Sequence, residues 1–360
     1  MLSDKPRFPI RQMLLHGWWP SVLKVLLYRL KGYRVGRGVR LAFGSVVLGR
    51  AVDLGDYCSI GFFSFVRGQT IRIGSRVRIG AASMLDTPHI EIGDGTKINE
   101  QVYVGGLQFP DSKFLVGRNC QIMQMTFINP ARTVSIGDDS GVGGDSLLFG
   151  HTSWLSCFEG YPIQFEPIRI GNSVSLSWRV FVLPGTQIAD GVVVGANSLV
   201  RGSIPPRCLA VGFPARVVSR EPEFPRPVSP EEKVRLLEEI LTEFQSFLRA
   251  AGADCRREGE TILVTRTTGR FWRSRREAWR LVVNSSTAEV SEPPQVQGNA
   301  FLSLGPISRD ARSRLDRAAV IWFDLAAKER SDAGGELADD LAGHLRRYGV
   351  RCFRVKAASQ

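Results

Sequence analysis

Four histidines occur in the chain, His16, His89, His151 and His344, and His151 stands where chemistry is easiest to perform. It follows Gly150 directly, near the start of a stretch of about 149–169 that carries no regular pattern. A neutral imidazole, with an ordinary pKa near ~6.5, accepts a proton at neutral pH. It can draw that proton from a weakly acidic alcohol as the oxygen attacks a carbonyl. The other ring nitrogen then needs an acceptor to fix the tautomer. Asp145, Gln124, Asn129 and Glu159 are all near enough in sequence to supply one, and Asp145 is paired with His151 as the working catalytic assignment. Trp154 and Phe158, in the same irregular stretch, offer aromatic faces to an acceptor or anchors to the loop. Of the other histidines, His89 in Thr87-Pro88-His89 reads as a corner residue, and His16 and His344 fall in expected helices.

The residues around His151 must hold it, and their pattern is periodic. Aliphatic residues recur at every sixth position: Val35, Leu41, Val47; Leu54, Ile60, Val66; Ile73, Ile79, Leu85. Ile92, Ile98, Val104; Val116, Ile122, Ile128; and Ile136, Val142, Leu148 continue the series, and Ile170, Leu176, Val182, Ile188, Val194, Val200 complete it. Each step of six contributes a short strand and a turn, and three steps close a triangular coil of about 18 residues. The aliphatic side chain points inward, and the small residue that often follows it, such as Gly55, Gly61 or Gly143, is expected to tolerate the tight corner. Stacked coils make three parallel sheets about 4.8 Å apart from level to level. Triplet starts lie 19, 19 and 19 residues apart, then 24, 20, 34 and 18. The longer steps place a short insertion near 106–115 and a long one at about 149–169. Both must leave the prism as external loops.

Residues 10–33 read as a helix, or two broken around Pro20, with Trp18, Trp19 and several leucines interleaved with basic residues. They either cap the prism or form a foot on a membrane surface. Beyond residue 220 a proline-rich stretch leads to a helix start at Ser229-Pro230-Glu231-Glu232, and that helix runs to about Ala251 before Gly252. Strands are expected at 261–266, 278–284, 318–325 and 350–355, and a helix at 335–348. The expected organisation is an N-terminal helical cap at 1–34, a solenoid at 35–220, and a linker with an α/β domain at 221–360.

Composition limits the partners. Apolar residues make up 43% and charged residues 23%, which is globular rather than disordered. The net charge of +12 favours anionic partners, but the scattered bases and the lack of a recognition motif argue against nucleic acid. Six cysteines without a CxxC pair suggest neither a disulfide framework nor a zinc site, and fit a reducing, cytoplasmic location. The solenoid holds only His89 and His151, so a three-histidine zinc site is not expected and no metal is called for. No secretion signal is read at the start, and no apolar run approaches the ~20 residues that span a bilayer.

The hexads, the Gly150-His151 step and the segment 167–218 (PIRIGNSVSLSWRVFVLPGTQIADGVVVGANSLVRGSIPPRCLAVGFPARVV) resemble the left-handed parallel β-helix, or hexapeptide-repeat, acyltransferases. Within that group the chain looks most like the sugar and polysaccharide O-acetyltransferases of capsule, exopolysaccharide and lipopolysaccharide biosynthesis. The resemblance covers about residues 30–220 and supplies the winding sense, since ordinary parallel crossovers are right-handed. It implies a mainly β fold: a left-handed triangular prism of about eight coils with a short N-terminal helical segment and a separate C-terminal α/β domain. It also implies a homotrimer with active sites between neighbouring prisms. Acetyl-CoA or another acyl-CoA would be the cosubstrate, with direct transfer to a sugar or polysaccharide acceptor. His151 falls on the family's catalytic histidine, Ala196 on the position that meets the pantetheine arm, and Arg216 on a basic position facing the coenzyme phosphates. The family's Val-Trp-Ile-Gly corner reads Val174-Ser175-Leu176-Ser177 here, so Trp178 or Trp154 stands in for the missing indole. The usual Thr-Lys before Ile-Pro is Arg201-Gly202, which moves a positive charge by one residue. Two other readings share the sequence: N-acetylation of a nucleotide-linked amino sugar, and a non-catalytic scaffold of a glycan-assembly complex.

Overall fold

An aliphatic residue at every sixth position can be buried throughout only if the chain turns by a third of a circuit at each step. The computed structural model, which describes residues 9–268, 275–293 and 299–355, shows that arrangement. The chain divides into two compact units, Met1–Arg226 and Pro227–Gln360.

In the first unit, short strands stack level on level into three parallel sheets of nine, ten and eight strands, the second closed by one antiparallel strand. This is the three-sided, left-handed parallel β-helix that the resemblance implies. Inward residues pair with their equivalents one coil away: Val35 with Leu54, Ile60 with Ile79, Leu148 with Val182. They form one continuous buried core. Both insertions leave the register intact. His89 still pairs with Lys113 across the shorter one, and Val134 with Ile168 across the longer.

The corners work differently from the sequence expectation. The glycine after each inward residue is not the one that turns. The left-handed backbone falls three places after the inward residue, on Tyr57 (φ 59°), Phe63 (φ 52°), Asp145 (φ 55°) and Asn197 (φ 57°). The glycine is needed because coils stack closely: a Cβ on Gly143 would lie 2.3 Å from the Ser177 carbonyl oxygen. The prism also runs beyond Val200. Ser203–Ile204 adds a ninth strand to the first sheet, and Cys208–Gly212 follows on the second. The step from Val200 to Ile204 is four residues rather than six, with Gly202 at φ 72° making the shortened corner.

Two short helical turns, Ile10–Gln12 and Met13–Gly17, precede the helix Ser21–Leu30. That helix lies across the open edge of the first coil and supplies hydrogen bonds a further coil would have made. Val47 N–H donates to the Tyr28 hydroxyl at 2.8 Å and Leu41 N–H to Ser21 Oγ at 2.9 Å. The Lys24 ammonium donates to the Ala42 and Ser45 carbonyls at 2.7 and 3.1 Å, and burial pushes its pKa down to about 8. Cys58 and Cys120 act like the serines at equivalent levels: their thiols donate to the Gly74 and Gly137 carbonyls, and burial raises each pKa to about 11.

The second unit is a seven-stranded mixed sheet. The helices Pro230–Ala250 and Glu336–Arg347 share one apolar cluster with it, and Arg309–Arg317 belongs to another. Ser229 caps the first of these, accepting from Glu232 N–H at 3.2 Å. The expected strand at 318–325 is shorter, Ile321–Asp324. The helix Arg309–Arg317 and the strands Asp254–Glu258, Ala300–Ser303 and Glu329–Ser331 went unread in the sequence. Among the described residues no helix is long and apolar enough to cross a membrane.

Candidate active site

The chain leaves the prism at Gly150 because only glycine fits there. Its N–H donates to the Asn129 carbonyl at 3.0 Å, and a Cβ would lie 2.7 Å from that oxygen. His151–Thr152 then pairs antiparallel with Gln164–Phe165, so the long insertion rises from the prism on a two-stranded stalk with His151 at its base. The imidazole is half-buried between the rings of Phe149 and Phe165, with centroids 6.1 and 6.2 Å away. Phe149 continues into Phe127 and Phe181, and Phe165 into Phe109, which Arg132 covers at 3.9 Å. This apolar collar desolvates the ring and holds its pKa below the usual histidine value, so the neutral form dominates at pH 7.

Nδ1 lies 3.3 Å from Ser153 Oγ, and Nε2 makes no hydrogen bond among the described residues. If Nδ1–H donates to the serine oxygen, the Nε2 lone pair is left free to accept a proton. None of the four expected acceptors holds the ring in the single chain. Asp145 makes no hydrogen bond or ion pair with it; its carboxylate faces Arg179 at 3.7 Å. Asp145 lies on the edge between the second and third sheets, whereas His151 leaves from the edge between the third and first, so a whole face separates them. Asn129 is close, through its backbone, and its buried side-chain oxygen has no hydrogen-bond partner among the described residues.

The other expected site residues divide between the same two edges. Trp178 is half-exposed, with its ring packed over Gly144, where a Cβ would meet it at 2.5 Å. The exposed Ala196 sits in the next corner along, tied to it by Asn197 N–H donating to the Trp178 carbonyl at 3.1 Å. Arg201 is exposed in the corner that links the third sheet to the first, on the His151 edge. Arg216 is exposed on the strand Ala215–Arg220 beside Val211. Neither arginine makes an ion pair among the described residues. Trp154 and Phe158, at 96% and 99% exposed, anchor nothing within one chain.

Between the two edges lies the third sheet, whose outward residues include Tyr103, Phe127, Leu147, Phe181 and Leu199. The outward residues of the second sheet are polar by contrast, among them Arg40, Ser59, Arg78 and Lys97. Sequence reasoning missed Phe149, Phe165 and Ser153. Ser153, two residues past the histidine, was the one within reach of a local reading.

No family model matches the chain. Over 135 residues it is 32% identical to an Escherichia coli (strain K12) protein named "Putative lipopolysaccharide biosynthesis O-acetyl transferase WbbJ", covering 36% of this chain and 60% of that one. Over 119 residues it is 34% identical to the galactoside O-acetyltransferase of the same organism, covering 30% and 58%. The chain resembles the hexapeptide-repeat acetyltransferases. It spans about 60% of the length of the first of these curated relatives. Among solved structures, the polySia-specific acetyltransferase NeuO matches 52% of this chain and 86% of its own, at 21% identity and a TM-score of 0.28.

Proposed function

We propose that this hexapeptide-repeat protein is an O-acyltransferase that moves an acetyl group from acetyl-CoA to a hydroxyl of a sugar or polysaccharide, with His151 as general base. The observation that carries this reading is the imidazole itself: half-buried in an aromatic collar, biased toward the neutral form, with Nε2 unengaged. The names of the relatives supply the acceptor class.

In the reaction, Nε2 takes the acceptor's O–H proton as that oxygen attacks the thioester carbonyl. The tetrahedral oxyanion is met by a backbone N–H at a coil corner. Collapse breaks the C–S bond and releases the coenzyme A thiolate, which takes up the proton from the imidazolium. No acyl-enzyme is needed, because thiolate is a good leaving group.

The corners at Trp178 and Ala196 bind the pantetheine arm in this scheme, and Arg201 and Arg216 its phosphates. Those corners and His151 occupy different edges of one prism, so the site is completed by packing one copy's apolar third face against another. A homotrimer with three such grooves follows, and Trp154 and Phe158 reach across to cover the acceptor. Asp145 serves this scheme by holding Arg179 at the coenzyme-binding edge. The reading also includes a cytoplasmic location with peripheral membrane contact. The direct test is acetyl transfer from labelled acetyl-CoA to bacterial glycans by wild type and His151→Ala. A variant as active as wild type overturns His151 as the base, and no transfer by the wild type leaves a scaffold.

A further inference from the structure

The N-terminal helix carries apolar residues on two sides: Val25, Leu27 and Tyr28 pack against the prism core, and a second stripe faces away from it. On the helix Ser21–Leu30 the charged Lys24 faces inward onto backbone carbonyls, while Val22, Leu23, Leu26 and Leu30 face outward. The exposure is large, 78% for both Val22 and Leu30 and 64% for Leu14 in the preceding turn. A helix that needed only to cap the prism would be polar on the side away from the core. The stripe continues through Trp18, half-exposed and edge-on to Phe43 at 4.6 Å, and Phe43 contacts the half-exposed Phe63 at 5.7 Å.

Charge around this patch is of one sign. Between residues 10 and 52 the sequence holds eight basic residues (Arg11, Lys24, Arg29, Lys31, Arg34, Arg37, Arg40, Arg50) and no acidic one. Arg34 and Arg37 face Asp53 and Asp56, each at 3.5 Å, whereas Arg11, Arg29, Lys31 and Arg40 are exposed and make no ion pair among the described residues. An apolar face carrying tryptophan and rimmed by unpaired cations suits the boundary between acyl chains and anionic headgroups. A second copy of the chain suits it poorly, because two such rims would repel each other.

We infer that the Ile10–Leu30 segment is a docking foot for an anionic lipid bilayer, with Leu14, Trp18, Val22, Leu26 and Leu30 entering the interface and the surrounding arginines and lysines meeting headgroups. This gives the membrane contact in the proposed reading a defined surface, and it does not depend on the transfer chemistry. The full-length chain is mixed with vesicles of phosphatidylcholine alone or with phosphatidylglycerol added, and bound protein is measured by cosedimentation over a range of salt. Binding to the anionic vesicles that falls with salt is the expected result. Val22→Glu/Leu26→Glu should lower it at least tenfold, and Arg11→Glu and Lys31→Glu about fivefold or more each. Both apolar positions are exposed, so the double variant should keep its circular dichroism and its transfer rate on a soluble acceptor. Absence of binding to anionic vesicles overturns the inference. So does a double variant that binds like wild type, or one whose only change is a smaller assembly in sedimentation, which would make the face a contact between copies. A chain that binds vesicles but transfers no acetyl group would sink the transferase reading and leave this one standing.

Discussion

In the proposed reading Nε2 of His151 works as a base only while neutral, and the collar of Phe149 and Phe165 favours that state by excluding water. The acid limb of kcat/KM should therefore fall below the ordinary histidine value of ~6.5, with activity rising as pH rises through it and flat from there to pH 8. His151→Ala should remove that limb along with roughly 10²- to 10⁴-fold of the rate. A limb above ~6.5 in wild type, or one that persists in the variant, would assign the titration to another group. In the same reading Ser153 acts through the ring rather than on substrate. Its contact is long, at 3.3 Å, so Ser153→Ala should lower kcat by less than about tenfold with KM unchanged. A rise in KM alone would make Ser153 an acceptor contact instead. His151 was legible as a candidate in the sequence because a Gly-His step at the end of a hexad run marks the point where the chain leaves the prism. Its partner was not. Asp145 is six residues away along the chain, but six residues is a full face of a triangular coil, and the carboxylate ends up with Arg179.

A coil tolerates substitution according to what lies one level away, which separates two neighbouring glycines. A Cβ on Gly143 would meet the Ser177 backbone at 2.3–2.4 Å, and neither coil can move without breaking a parallel ladder. A Cβ on Gly144 meets the ring of Trp178 at 2.5 Å, a half-exposed side chain free to swing away. Gly143→Ala should thus destabilise the protein by about 1–3 kcal/mol in denaturant titrations. Gly144→Ala should leave stability within about 0.5 kcal/mol but raise KM for acetyl-CoA, since it displaces the indole assigned to the coenzyme. Equal stability losses at the two sites would mean that Trp178 is a packing residue. The hexads themselves were readable because every inward position demands an aliphatic side chain. The final level was missed where Gly202 shortened the step to four. In the second unit the helix Arg309–Arg317 buries only Ala311 and Leu315, too sparse a stripe for periodicity to reveal. The short strands around it draw their registration from distant partners rather than from local pattern.

At the scale of the molecule, the distribution of the proposed site residues over the prism sets a requirement that the proposed reading meets only with more than one chain. Trp178 and Ala196 stand on one edge, His151 on the next, and the apolar face of Phe127, Leu147 and Phe181 lies between them. In the proposed trimer, a heterologous contact through that face, repeated around a threefold axis, joins the histidine edge of each copy to the proposed coenzyme edge of its neighbour. His151→Ala spoils one half of every groove. Ala196→Trp, a bulky side chain at an exposed corner, should spoil the other half by occupying the pantetheine path without disturbing the core. Each variant alone should be nearly inactive. Unfolded together in equal amounts and reassembled, they should recover activity, because a groove works whenever its histidine and its corner both come from intact donors. Random assembly gives that with a probability of one half times one half, so about a quarter of the wild-type rate is expected per mole of chain. A mixture no more active than the average of its parents would place both halves of the site within a single chain and remove the need for the shared groove.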